Sequence, residues 1–286
     1  MNKFRKIISK LFEIILPFVD QKAYMRYINQ PFSNQPKSKL QTYYKLADEA
    51  ESNTYSLSDV DLLEKQYGFS VDRIWLNSLA LHTQIVIKKS ELNYAHGRVL
   101  YSVLRNYLTT LNKNIKSVNI FETGTARGFS SICMAKALSD SGYEGSICTI
   151  DVLPHFKKMF WNSASDHTKG EQTRQNLLTN WADLIDRYII FIQGYTRHII
   201  PKIAIQRINF AFLDGSHIYK DVLFEFKMIS KHQKKGDMII FDDYNHKDFP
   251  GIVKTVDDII NKKDYEIKLI YNKKTSRNYA IAKKLS

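Results

Sequence analysis

From Val118 onward, short runs of apolar residues alternate with longer stretches whose apolar positions recur at helical spacing. This is the pattern of a largely parallel sheet covered on both faces by helices. The runs predict strands at 118–123, 146–151, 188–193, 208–213, 238–242, 266–271 and 278–283. Helices are expected between the first five strands, near 129–139, 171–183, 197–204 and 219–231, with another at 251–262 before the sixth. Only the Lys/Asn/Ser-rich connection Asn272 to Ser276 separates the last two strands. A parallel crossover needs about a dozen residues or more, so these two are expected to form an antiparallel hairpin.

Before Val118 the period is helical. Ser58 and Asp61 form an S-x-x-D start with Gly68 as a stop. Ser70 opens a segment carrying Ile74, Trp75, Leu79, Leu81, Ile85 and Val86, and a further helix runs from Ala95 to Leu111. The polar stretch from Asn29 to Lys39, with Pro31 and Pro36, reads as a linker. Residues 1–20 read as a basic amphipathic helix, with Phe4, Ile7, Ile8, Leu11, Phe12 and Ile15 on one face until Pro17. Lys10 and Glu13 interrupt its apolar stretch, well short of the roughly 20 residues needed to cross a bilayer. A lipid surface, the body of the protein and a second subunit all remain open as its partner. The expected division is a helical region at 1–94 and an α/β domain at 95–286.

Composition changes this picture little. With 286 residues and 44% hydrophobic content, the chain can bury a substantial core. Its formal charge of +13 would suit an anionic partner. The lysines are scattered, however, and no nucleic-acid-binding module accompanies them, so no nucleic-acid partner is expected. Cys133 and Cys148 sit in apolar segments, which predicts buried, reduced thiols. A cytoplasmic setting is expected, with peripheral membrane contact left to the first helix.

The candidate chemistry lies at the ends of the predicted strands. The first runs through Phe121-Glu122-Thr123-Gly124 into Thr125-Ala126-Arg127-Gly128 and a helix. The second ends in Ile150-Asp151, where an acid can accept hydrogen bonds from the two ribose hydroxyls of an adenosine ligand. This E-x-G-x-x-x-G turn followed by an acid resembles the first two motifs of the class I methyltransferases. The resemblance implies S-adenosylmethionine as cofactor and a Rossmann-like fold of seven strands, mostly parallel, ending in an antiparallel hairpin. It would put Glu122 and Gly124 beside the methionine portion, Gly128 at a close helix contact, Asp151 on the ribose and Gln193, after the third strand, near the adenine. Each of these positions also has a bland reading, a strand-to-helix turn for the glycines and a capping carboxylate for Asp151.

Strand four leads into Asp214-Gly215-Ser216-His217-Ile218-Tyr219 and strand five into Asp242-Asp243-Tyr244, so three acids are expected to converge at one sheet edge. Such carboxylates repel one another unless some are protonated or a cation neutralises them. Hard oxygen donors suit Mg²⁺. The D-G-x-H-x-Y and D-D-Y pair resembles a methyltransferase group that includes sugar-modifying O-methyltransferases, some of which hold Mg²⁺ with three such aspartates. That resemblance implies Asp214, Asp242 and Asp243 as ligands, Asp214 also bordering the cofactor, and a small-molecule or glycan acceptor with adjacent hydroxyls. His217 is the candidate base, although Ser216 stands where some metal-dependent relatives carry an acid. A homo-oligomer is compatible with all of this. Two other readings stay open at this point, a nicotinamide-dependent oxidoreductase or hydroxylase on a related fold, and a membrane-associated interaction module without catalysis. The absence of G-x-G-x-x-G disfavours the first, and the reactive residues at successive strand ends disfavour the second.

Overall fold

The computed structural model describes residues 35–56, 58–112, 114–262, 264–271 and 277–286. The amphipathic segment 1–20, most of the Asn29–Lys39 linker and the Asn272–Ser276 connection lie outside the described residues. All seven strands are present: β1 Ser117–Thr123, β2 Glu144–Asp151, β3 Ile189–Gln193, β4 Phe210–Leu213, β5 Met238–Phe241, β6 Tyr265–Ile270 and β7 Tyr279–Lys284. They form a single sheet in the order β3-β2-β1-β4-β5-β7-β6. The first five are parallel, and β7 pairs antiparallel with both β5 and β6, which gives the expected hairpin.

Alternation along each strand divides the apolar side chains between two cores. Ile120, Phe210, Phe212 and Ile240 point to one face. Their chain neighbours Phe121, Ala211, Leu213, Ile239 and Phe241 point to the other. Such runs are apolar at every position because both faces are covered.

Among the described residues four N-terminal helices, α1 Leu40–Thr54, α2 Ser58–Tyr67, α3 Arg73–Thr83 and α4 Ala95–Thr110, contribute Tyr43, Leu63, Leu79 and Val99 to the first core. Helix α4 is sunk most deeply, with Val99, Leu100, Val103 and Leu104 fully buried. Its Arg98 ties the others together, bonding Asp61 and Glu64 of α2 at 2.6 Å each and the Thr54 carbonyl of α1 at 3.0 Å. Helix α3 starts later than Ser70 predicts, because Asp72 caps it by accepting from the Trp75 N–H at 2.7 Å.

In the α/β part, α5 spans Phe129–Ser141. The predicted helix at 171–183 is instead broken into α7 Arg174–Leu177, a 3₁₀ turn and α8 Ala182–Tyr188, preceded by a short α6 at Ser165–Lys169. The predicted 197–204 helix shrinks to α9 Thr196–Ile199 and a 3₁₀ turn holding Pro201. Helices α10 Tyr219–Ser230 and α11 Pro250–Lys262 cover the second core. Cys133 and Cys148 are buried free thiols, and burial pushes the Cys148 pKa up to about 11. Among the described residues no helix is long and apolar enough to cross a membrane.

Candidate active site

Parallel pairing brings the carboxyl ends of β1 to β5 to one edge. Thr123 lies opposite Leu213 and Leu213 opposite Phe241, so the residues that follow them, Gly124, Asp214 and Asp242, leave the sheet side by side. At this edge a cleft of about 350 Å³ is lined by Gly124, Asp151, Gly194, Tyr195, Ser216 and Glu225, among others. That volume lies within the usual span of small-ligand sites, about 300–1,000 Å³.

The turn after β1 is drawn tight. Gly124 donates to the Ile150 carbonyl at 2.9 Å and has φ +89°. A side chain there would fall 2.6 Å from the Asp214 carbonyl carbon. Glycine is therefore demanded by the neighbouring strand end as well as by any ligand. Asp151 stands at the cleft wall, where one carboxylate oxygen accepts from Ala126 N–H at 2.6 Å and the other from Leu153 N–H at 2.7 Å. Arg174 braces the same two segments from behind, donating to the Ala126 carbonyl at 3.0 Å and the Leu153 carbonyl at 3.3 Å. Burial draws its pKa down while Asp151 and Glu122 hold it up. This arginine lies in the stretch whose helical period misled the sequence reading.

Four of the expected cofactor residues, Glu122, Gly128, Gln193 and Asp214, are not among those that line the cleft. Glu122 is fully buried, and its carboxylate accepts from Ser130, Ser131 and Thr149, the last at 2.5 Å. It therefore fastens the start of α5 to the sheet, and burial raises its pKa against those bonds. Gly128, at φ +93°, caps α5 where a Cβ would meet Leu178 at 2.9 Å, in keeping with a close helix contact. Gln193 is exposed and reaches back to the Val152 carbonyl at 3.4 Å, while the adjacent Gly194 lines the cleft.

At the reacting edge the three acids have different surroundings. Asp242 is fully buried and held by the Arg277 guanidinium through both oxygens, one at 3.2 Å, while it also accepts from Asp243 N–H at 2.8 Å. Arg277 thus engages Asp242 as its counter-ion, and the expected trio of aspartates is not the group whose ligand atoms converge. Asp214, His217 and Asp243 do, with candidate ligand atoms all within 4.8 Å of one another. His217 Nε2 lies 3.2 Å from Asp243 Oδ2, and its ring packs against Phe249 at 4.2 Å between centroids. Burial together with the charges of Asp242 and Asp243 pushes the Asp214 carboxyl well above its ordinary range. Burial would raise Asp243 too, but Arg277 and His217 outweigh it and hold that carboxyl low. Lys88, after α3, also feels the cluster: partial burial and Arg277 lower its pKa, and the three aspartates oppose them.

Two carboxylates and an imidazole make a chemically reasonable divalent-cation set, and one that includes a nitrogen is less selective for Mg²⁺ than the all-oxygen set expected from sequence. Sequence gave no local signal for Arg277, Lys88 or Arg174, because each finds its partner through the tertiary fold.

Residues 121–244 match a family model described as a methyltransferase domain. The search of curated proteins found no match. Among solved structures, the O-methyltransferase TomG of Streptomyces achromogenes, involved in tomaymycin synthesis and bound to S-adenosylmethionine, aligns at 15% identity and a TM-score of 0.52, covering 76% of this chain and 92% of that one. The O-methyltransferase NovP aligns at 16% identity and 0.52, covering 74% and 99%. An O-methyltransferase from Bacillus cereus, in complex with S-adenosylhomocysteine, aligns at 15% and 0.50, covering 86% and 100%. At such identities these likenesses speak for the fold. The fold is the Rossmann-like one of the class I methyltransferases, and the methyltransferase-domain match covers residues 121–244 within it.

Proposed function

We propose that this chain is an S-adenosylmethionine-dependent methyltransferase that transfers the methyl group to a hydroxyl oxygen of a small molecule, sugar or glycan, with a divalent cation held by Asp214, Asp243 and His217. The observation that carries the reading is the meeting of these three side chains beside a cleft that also exposes Gly124 and Asp151. Asp151 faces the cleft with lone pairs beyond its two backbone bonds, which suits a ribose diol. A cation at the three donors would orient acceptor oxygens and favour the alkoxide. The protein's own contribution is chiefly alignment, worth about 7–11 kcal/mol for well-oriented reactants, against roughly 3–5 kcal/mol for a general base.

One geometric detail favours a second reading of the same edge. The 3.2 Å contact between His217 Nε2 and Asp243 can orient the imidazole, leaving Nδ1 to take the acceptor's proton without any cation. Treatment with a chelator separates the two. Loss of turnover, restored by Mg²⁺ or Mn²⁺ and mirrored by Asp214→Asn, is the expected outcome. Full turnover in exhaustive chelator, with activity still abolished in a folded His217→Ala variant, would leave the Asp243–His217 pair as the base system.

Cofactor recognition is tested separately. Asp151→Ala is expected to weaken S-adenosylhomocysteine binding by about 10–150-fold in calorimetry, the range for losing a charged hydrogen-bond partner. Unchanged affinity would remove the ribose role.

A further inference from the structure

The segment from Ile85 to Tyr94 joins α3 to α4 and carries neither helix nor strand. It lies against the reacting edge all the same. The Asn93 carbonyl accepts from Arg277 Nη1 at 3.4 Å, and Arg277 is the residue that holds Asp242 and stands 3.5 Å from Asp243. Lys88 of the same segment feels all three aspartates of that edge. An acceptor brought to Asp214, Asp243 and His217 would therefore meet this segment as a wall.

The wall is held by a residue far along the chain. Asn162, only 5% exposed, pairs with the backbone of Ile87 much as a neighbouring strand would. Its Oδ1 accepts from Ile87 N–H at 3.0 Å and its Nδ2 donates to the Ile87 carbonyl at 3.0 Å. Tyr43 of α1 donates to the same Oδ1 at 3.1 Å. An ionised carboxylate in this place could accept but not donate. The backbone of Asn162 has φ +55°, a left-handed conformation that asparagine enters more readily than most residues. The residue before it is tied to the turn after β1, where Arg127 Nε donates to the Trp161 carbonyl at 2.7 Å. Both ends of the stretch that carries Trp161 and Asn162 return to that turn as well, Leu153 through Asp151 and Arg174 through the Ala126 carbonyl.

We propose that Asn162 is a positioning residue, one that fixes the wall of the acceptor site to the cofactor turn so that a bound cofactor steadies the wall before the acceptor arrives. This inference rests on the reading of the cleft as the S-adenosylmethionine site. A cofactor seated on Gly124 and Asp151 restrains the turn, Arg127 holds Trp161 to it, and Asn162 holds Ile87. The wall can open only by breaking the two bonds to Asn162, so whatever steadies Asn162 makes opening rarer. Binding is then ordered, cofactor first.

Hydrogen exchange on the full chain, with and without saturating S-adenosylhomocysteine, tests this. In the parent the ligand should slow exchange of the 85–93 amides by about fivefold or more, the lower end of ordinary coupling between two sites. Asn162→Gly accepts the left-handed backbone and removes only the side-chain clamp. Checked for folding by its thermal transition, it should bind the ligand within about threefold of the parent, while the slowing at 85–93 falls below about twofold. Asn162→Asp, which keeps the acceptor for Ile87 N–H and loses the donor, should lie between the two. Unchanged slowing in Asn162→Gly overturns the proposal. So does ligand binding by the parent without slowing at 85–93, a result that needs no variant. Failure of the parent to bind S-adenosylhomocysteine overturns the cofactor reading of the cleft instead.

Discussion

Arg277→Ala is expected to destabilise the protein by about 3–5 kcal/mol, the usual cost of stranding one member of a buried ion pair. Asp242 has no exposure, and both of its oxygens face the guanidinium. Lysine should rescue only part of the loss, since one ammonium cannot reproduce a planar two-point contact. The pH dependence has a definite sign. Burial already raises the Asp242 carboxyl against the pull of Arg277. Without the arginine the folded-state value rises further above the unfolded one, so the variant is closest to parental stability at acid pH and loses stability as pH rises through the shifted value. Pairing Arg277→Ala with Asp242→Leu should recover most of the loss. Denaturant unfolding of the single and double variants measures all of this, and a loss under 1 kcal/mol for Arg277→Ala would show that the pair matters little.

Gly124→Val should abolish measurable cofactor binding, at least about 100-fold in Kd or roughly 2.7 kcal/mol. Two strains combine there. The backbone at φ +89° is one a branched residue resists, at about 1–3 kcal/mol. The new Cβ would also press on the Asp214 carbonyl carbon at 2.6 Å, so the β1 turn and the β4 end cannot both keep their places. Methyl transfer should fall further than binding, because Asp214 opens the reacting edge. Calorimetry with S-adenosylhomocysteine, alongside circular dichroism to confirm folding, is the measurement. Parental affinity in a folded variant would mean that the turn is not part of the cofactor site.

These variants also mark where sequence reasoning succeeds and where it stops. The strands are legible because a doubly covered sheet writes itself as continuous apolar runs, and the acids that follow those runs land at one edge by parallel pairing alone. The placing of Gly124 and Asp151 at the cleft is legible for the same reason. The pairing of Asp242 with Arg277 is not legible, because it spans 35 positions and Arg277 comes just after a connection that reads as ordinary polar chain. Arg174 is hidden similarly: at helical spacing it counts as one polar position, while in the fold it is buried against the Ala126 and Leu153 carbonyls. Glu122 shows the converse. A motif marks the position, but three hydroxyls from neighbouring elements fix its carboxylate inside the protein. Glu225 lies in the middle of an amphipathic helix, where no local pattern separates a cleft-lining carboxyl from a solvated one.

The place of β7 bears on how the chain reaches its native state. It follows β6 in sequence yet lies between β5 and β6, so β6 has no seat in the sheet until β7 has been made. During synthesis β1 to β5 can already pair while the open side of β5 stays available to other chains, a hazard of unpaired strand edges. Asp242, at the end of that strand, lacks its counter-charge over the same interval. The hairpin that carries Arg277 thus both covers the open side of β5 and supplies the counter-charge of Asp242, so sheet closure and assembly of the reacting edge depend on the same segment.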